Sequence, residues 1–237
     1  ARMSVWAARR FWTATSVVPG DTGFAVLLDG RPVRTPRKAP LVLPTAGLAE
    51  AVAAEGQAVE AKVDPARMPF TRRANSAIDT VAPQIEAVAA MLADYGGSDL
   101  LCYRSEGPDA LAARQRLGWD PLLDWSDAAL GAPLVVTTGV MHVAQPEASR
   151  AALSAAVARL TAFQLVAFHD LVALSGSLVL ALAVTRGRLT AETAWSLSRI
   201  DEDWQTEQWG VDEDAAETGR LKQADFMAAD RFFALCG

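Results

Sequence analysis

The feature that most constrains the fold is a change of hydrophobic period at Thr45. Before it, 24-FAVLLDGRPVRTP-36 holds two extended apolar runs either side of Asp29-Gly30, and 12-WTATSVV-18 and 41-LVLP-44 also read as extended. An Asp-Gly pair between such runs predicts a hairpin, because a type I′ turn needs positive φ at both central residues. From Thr45 onward apolar residues recur at helical spacing: Leu48, Val52 and Val59 fall near one face, with Thr45 as N-cap. The prediction is an α+β chain. A small antiparallel β-rich N-terminal domain of four to six strands with one helix (1–68) precedes a larger α-helical C-terminal domain (69–237).

Within the second part, helices are predicted at about 84–95, 109–130, 146–160, 162–186, 190–209 and 214–234, separated by Gly or Pro. Two β-prone stretches, 99-DLLCY-103 and 134-LVVTTGVMHV-143, interrupt them. In 175-SGS-177 the small residues read as a place where another helix approaches closely. The apolar run 171-LVALSGSLVLALAV-184 falls short of the roughly 20 residues that span a bilayer, so no membrane insertion is expected.

Charge is unevenly placed. The net charge is −6, yet residues 200–219 hold eight carboxylates and no Lys or Arg, leaving the remainder slightly basic. Residues 1–40 carry seven basic side chains against Asp21 and Asp29. This layout suits oriented docking to a charged protein better than nucleic-acid binding, which calls for a concentrated basic face. Cys102 and Cys236 are the only cysteines, far apart, which fits free thiols in a reducing compartment. No apolar stretch follows Arg2, Arg9 and Arg10, so a secretory signal is not expected.

Motifs for chemistry are sparse. His142 and His169 are the only histidines; neither HExxH nor a paired-histidine zinc spacing occurs, and no GxGxxG, P-loop or GxSxG is present. No metal, cofactor or catalytic residue is expected. The competing enzymatic reading places chemistry on His169, Asp170 and nearby carboxylates, and a third reading is an acidic scaffold for any basic protein.

The acidic run has a helical geometry of its own. Leu197, Ile200 and Trp204 form one stripe, read as a core contact. Glu202, Gln205 and Trp209 form a second stripe about a hundred degrees away, bordered by Asp201 and Gln208. An aromatic framed by polar groups is what interfaces enrich at their centres; equally, Trp209 could simply close the helix end against a neighbour.

Several stretches together resemble the assembly chaperones that act on the alpha subunit of the F-type ATP synthase, found in mitochondria and alphaproteobacteria. They are 11-FW-12, 26-VLLDGRPVRTP-36, 41-LVLPT-45, 64-DPARMPFTRRANSAID-79, 99-DLLCYR-104, 119-WDPLLDW-125 and 198-SRIDEDWQTEQWG-210, in order over most of the chain. The resemblance implies a non-enzymatic chaperone, cytoplasmic in a bacterium or in the mitochondrial matrix of a eukaryote, and a helical protein of this size is expected to act as a monomer. Such a protein would bind unassembled alpha and cover its beta-facing surface until beta replaces it. It also implies that Glu202 carries most of the contact, with Asp201, Gln205, Trp209 and Gly210 around it; Arg72, Arg73 and the basic residues of 31-RPVRTPRK-38 are second choices.

Overall fold

The computed structural model describes residues 9–237; Arg2, counted above in the basic block, lies outside them. Strands β1 (Thr15–Gly20) and β2 (Gly23–Leu28) pair antiparallel with Val17 opposite Val26. On the other edge of β2 lie the short strands β3 (Arg31–Pro32) and β4 (Val42–Leu43), which completes a four-stranded antiparallel sheet. The Asp29-Gly30 turn has the positive φ values (47° and 78°) that a type I′ hairpin requires. The Asp29 carboxylate also accepts from the Thr13 and Ala14 amides.

Helix α1 (Ala46–Ala58) starts where Thr45 Oγ1 accepts from the Leu48 amide, and it buries Leu48, Ala49, Val52 and Ala53. Its Glu55 reaches across to α2 (Pro69–Ser76), accepting from the Phe70 and Thr71 amides at 2.7 and 2.8 Å. That remote carboxylate satisfies N–H groups that the local N-cap, Met68, does not cap.

Two compact units divide the residues. The first runs to Pro83 and takes in Ala162–Val166 and Arg231–Gly237; the second comprises Gln84–Thr161 and Ala167–Asp230. The expected boundary at 68/69 falls inside the first unit, because Phe70 and Phe163 both pack on the fully buried Phe232 (ring centroids 5.9 and 6.5 Å). Such a ring contributes about 1.5–3 kcal/mol by burial.

The second unit is helical: α3 (Ile85–Ala93), α4 (Asp109–Leu130), α5 (Glu147–Val157), the later part of α6 (Ala162–Ser175), α7 (Leu178–Thr185), α8 (Ala191–Ser198), α9 (Ile200–Trp209) and most of α10 (Glu213–Ala234). A parallel pair, β5 (Tyr103–Arg104) with β6 (Thr137–Thr138), lies among them. Every residue from Leu178 to Val184 is buried, so α7 is the centre of this core. None of the helices among the described residues is long and apolar enough to cross a membrane.

The helix expected over 162–186 is two helices. Gly176 takes φ +73°, which ends α6, and Ser177 then caps α7 by accepting from the Leu180 amide. The Ser-Gly-Ser segment is thus a break and a cap, not a flat helix face. The fully buried Asp99 secures the break, accepting from Ser177 Oγ at 2.7 Å and from the Val179 and Leu101 amides. Burial holds its carboxyl above the usual range, against the pull of those hydrogen bonds.

Candidate functional site

The first half of the acidic run forms α9 and the second half leads into α10; the path of α9 is set by a break that the sequence periodicity conceals. At Arg199 the backbone leaves the helical region (φ −110°, ψ 10°) and its amide bonds back to Ser196, so the helix expected over 190–209 is two, α8 and α9. The Arg199 guanidinium lies 5.5 Å over the Trp195 ring and pairs with Glu202 at 2.9 Å. The inward stripe survives the break in part: Ile200 is buried, whereas Trp204, expected in the core, is only half-buried under the Arg114 guanidinium. Leu197 and Ile200 both pack against Gly118 of α4, where a Cβ would meet their methyl carbons at 2.9 and 3.0 Å.

Helix α4 also holds the polar side of α9. The buried Gln115 donates from Nε2 to Asp201 at 2.6 Å while its Oε1 accepts from the Ser105 amide at 2.8 Å. Its neighbour Arg114 grips Glu207, further along α9, through two 2.8 Å bonds and lies 5.0 Å over the Trp204 ring. This pairing depresses the Glu207 carboxyl and raises the Arg114 guanidinium, although both are too exposed for the pair to add much stability. Asp201, Glu202 and Asp203 occupy the first turn, where the helix dipole favours anions.

What remains on the outside is the second stripe. Glu202, Gln205, Gln208 and Trp209 are exposed, Trp209 to 89%. Asp201 and Gln205 form one wall of a cleft of about 460 Å³ whose other walls are Tyr103–Gly107, Leu111, Gly139 and Val140. A fixed helix thus displays carboxylates, amides and an indole to solvent. Such a surface offers hydrogen-bond acceptors and an aromatic anchor to a partner protein.

Residues 9–127 match the family model of the ATP12 chaperone protein. The chain belongs to the ATP12 chaperone family. It is similar to Atp12 from Paracoccus denitrificans, with 53% identity, a TM-score of 0.94, and 97% of this chain and 99% of that one covered. A point mutant of that protein matches with the same identity and TM-score, covering 97% and 98%. The mitochondrial protein atp12 of Schizosaccharomyces pombe is 26% identical over 242 residues, covering 96% of this chain and 82% of that protein. Membership makes this chain a chaperone of ATP synthase assembly, the class implied by the resemblance in its sequence.

In this ATP12-family chain the second-choice residues fare differently from α9. Arg72 is exposed on α2, whereas Arg73 is only 2% exposed and donates to the Pro69 carbonyl. The expectation that Arg73 meets a partner is therefore withdrawn, since a guanidinium set in the interior is not available at a surface. His169 and Asp170 sit on α6, with Nδ1 3.2 Å from the carboxylate, which raises the imidazole above its ordinary pKa. His169 is half-exposed and does not line the cleft beside α9. Sequence reasoning missed Gln115, Arg114 and Gly118, the α4 residues that position α9; separated from it by some eighty residues or more, they carry no local signal.

Proposed function

We propose that the chain is a chaperone that binds the unassembled alpha subunit of the F-type ATP synthase, shields its beta-facing surface from aggregation and hands it over as the catalytic head is built. The observation that carries this reading is the exposed face of α9 in an ATP12-family chain: Glu202, Gln205, Gln208 and an 89% exposed Trp209, bordered by Asp201 and ended by Gly210. An unassembled subunit exposes a partly apolar interface, and a protein that covers it reversibly suppresses aggregation by mass action. Binding of this kind needs neither turnover nor a cofactor. Among the described residues no three His, Cys, Asp or Glu side chains are grouped as a metal would need. Arg72 is a secondary contact in this reading, and the chaperone acts as a monomer in a bacterial cytoplasm or a mitochondrial matrix.

Glu202→Lys tests it. Among the described residues the ion pair at stake is Arg199–Glu202, part-exposed and worth about 0–1 kcal/mol, so the variant folds. It is expected to lose capture of isolated alpha subunit and protection against its aggregation. A folded Glu202→Lys protein that still protects alpha as well as the wild type sinks the assignment of Glu202.

A further inference from the structure

Besides Trp209, this unit exposes single apolar side chains at Met91, Leu117, Val211 and Leu221, and a cluster of them in 134-LVVTTGVMHV-143. Only Thr137–Thr138 is paired as a strand, and Val135, Val136, Val140 and Met141 are exposed to 41, 43, 93 and 76%. Its backbone is nonetheless held. The Gln145 carboxamide clasps the Val135 backbone, its Oε1 accepting from the N–H at 2.7 Å and its Nε2 donating to the carbonyl at 2.9 Å; the Gly139 amide donates to the Arg104 carbonyl at 2.8 Å, and the Tyr103 hydroxyl lies 3.3 Å from His142 Nδ1. Exposed apolar side chains on a tethered backbone mark an interaction surface.

Two clefts border this segment. Gly139 and Val140 face the one that Asp201 and Gln205 also line; Val136 and Thr138 face a second, of about 690 Å³, lined by Asp109, Asp120 and Asp124. Arg104, Ser105 and Glu106 line both, so the groove is continuous with the α9 face. Its walls are net acidic. Of the two arginines present, Arg104 is buried, paired with Asp120 and set over Trp119, which leaves Arg116 against the carboxylates.

We propose that this groove is a second part of the client-binding surface and takes an extended, basic stretch of the same client that α9 engages; the inference rests on the chaperone reading above. Lys or Arg stems lie along Val136 and Val140 while their charged heads reach Glu106, Asp109 and Asp124. Size argues for a second part: a ten-residue helix is about 15 Å long, and one face of it covers a fraction of the roughly 800 Å² per partner that a stable contact buries. Charge argues against a second copy of this chain, since a symmetric contact through the groove would bring like charges together.

The test uses the folded Val140→Ser/Met141→Ser double variant, Glu202→Lys and isolated alpha subunit, with a benzophenone attached through Val140→Cys to map the contact. The double variant is expected to keep its fold and bind alpha about ten-fold more weakly. The cross-linked alpha peptide is expected to carry Lys or Arg beside apolar residues. Unchanged affinity of the double variant while Glu202→Lys weakens binding overturns the groove and leaves the chaperone reading standing. A wild type that does not bind alpha overturns the chaperone reading itself. A wild type that sediments alone as a dimer, with the double variant a monomer, assigns the strip to self-association and overturns the groove as a client site.

Discussion

Gln115→Leu isolates what positions the acidic helix, because the replacement is close in size and removes two hydrogen bonds at once. The Ser105 amide would lose its acceptor in a part-buried setting, at about 1–3 kcal/mol. The bond to Asp201 is charge-assisted and worth about 1.5–3 kcal/mol, but Asp201 is half-buried and partly rehydrates, so its loss belongs at the low end. The buried leucine returns about 1 kcal/mol. The net expectation is a destabilisation of about 2–3 kcal/mol, read from urea unfolding followed by tryptophan fluorescence, with weaker capture of alpha once Asp201 loses its tether. Gln115→Glu provides the electrostatic complement. It sets a second carboxylate beside Asp201, so the folded pair retains a proton that the unfolded chain gives up near the ordinary carboxylate pKa. Its stability should therefore fall as pH rises through that interval. A loss below about 0.5 kcal/mol in Gln115→Leu would show that the carboxamide does not hold α9, and the positioning argument would fail.

Gly210→Ala should destabilise by about 1–3 kcal/mol through backbone strain alone, since φ is +91° there and no atom lies within 4 Å of the added Cβ; an unchanged Tm would contradict this. Burial pushes the Cys102 and Cys236 thiols up to about 12, so a thiol reagent at pH 8 should leave both unmodified in the native protein and titrate both in denaturant. The His169 imidazole should titrate above 6.5 by NMR and move down in Asp170→Asn. Because the folded pKa is the higher one, its stabilising contribution is full below 6.5 and fades as pH rises through the folded value; a pKa at or below 6.5 in the wild type refutes the pairing.

The parts of the fold legible in the sequence are those fixed by neighbouring residues. Asp29-Gly30 specifies its hairpin through backbone conformation, Thr45 marks a helix start through its hydroxyl, and α4 runs from Asp109 to Leu130 as its spacing indicates, with Pro121 inside it. The breaks at Gly176 and Arg199 were hidden because the apolar rhythm continues across them; Asp99 and Trp195, which brace them, act from other turns or other segments. The inclusion of 162–166 and 231–237 in the first unit depends on the Phe70–Phe232–Phe163 stack, which has no local signature. For the candidate site, the division between Ile200 and the Glu202–Gln205–Trp209 face could be read from helical spacing. The Arg114 and Gln115 contacts could not, because they join residues 86 or more positions apart.

Ile200 is the sole buried residue of α9, against seven in α7. Local opening free energy tracks the apolar area that an element must expose, so α9 stands near the bottom of this unit's stability scale while the core beneath it is near the top. Its C-terminal end, past the Glu207 tether, should exchange its amide protons through fraying long before the molecule unfolds. A client that grips this helix pays in part for quieting it, which holds the complex below the tightness its contact list alone would suggest and keeps the grip open to competition.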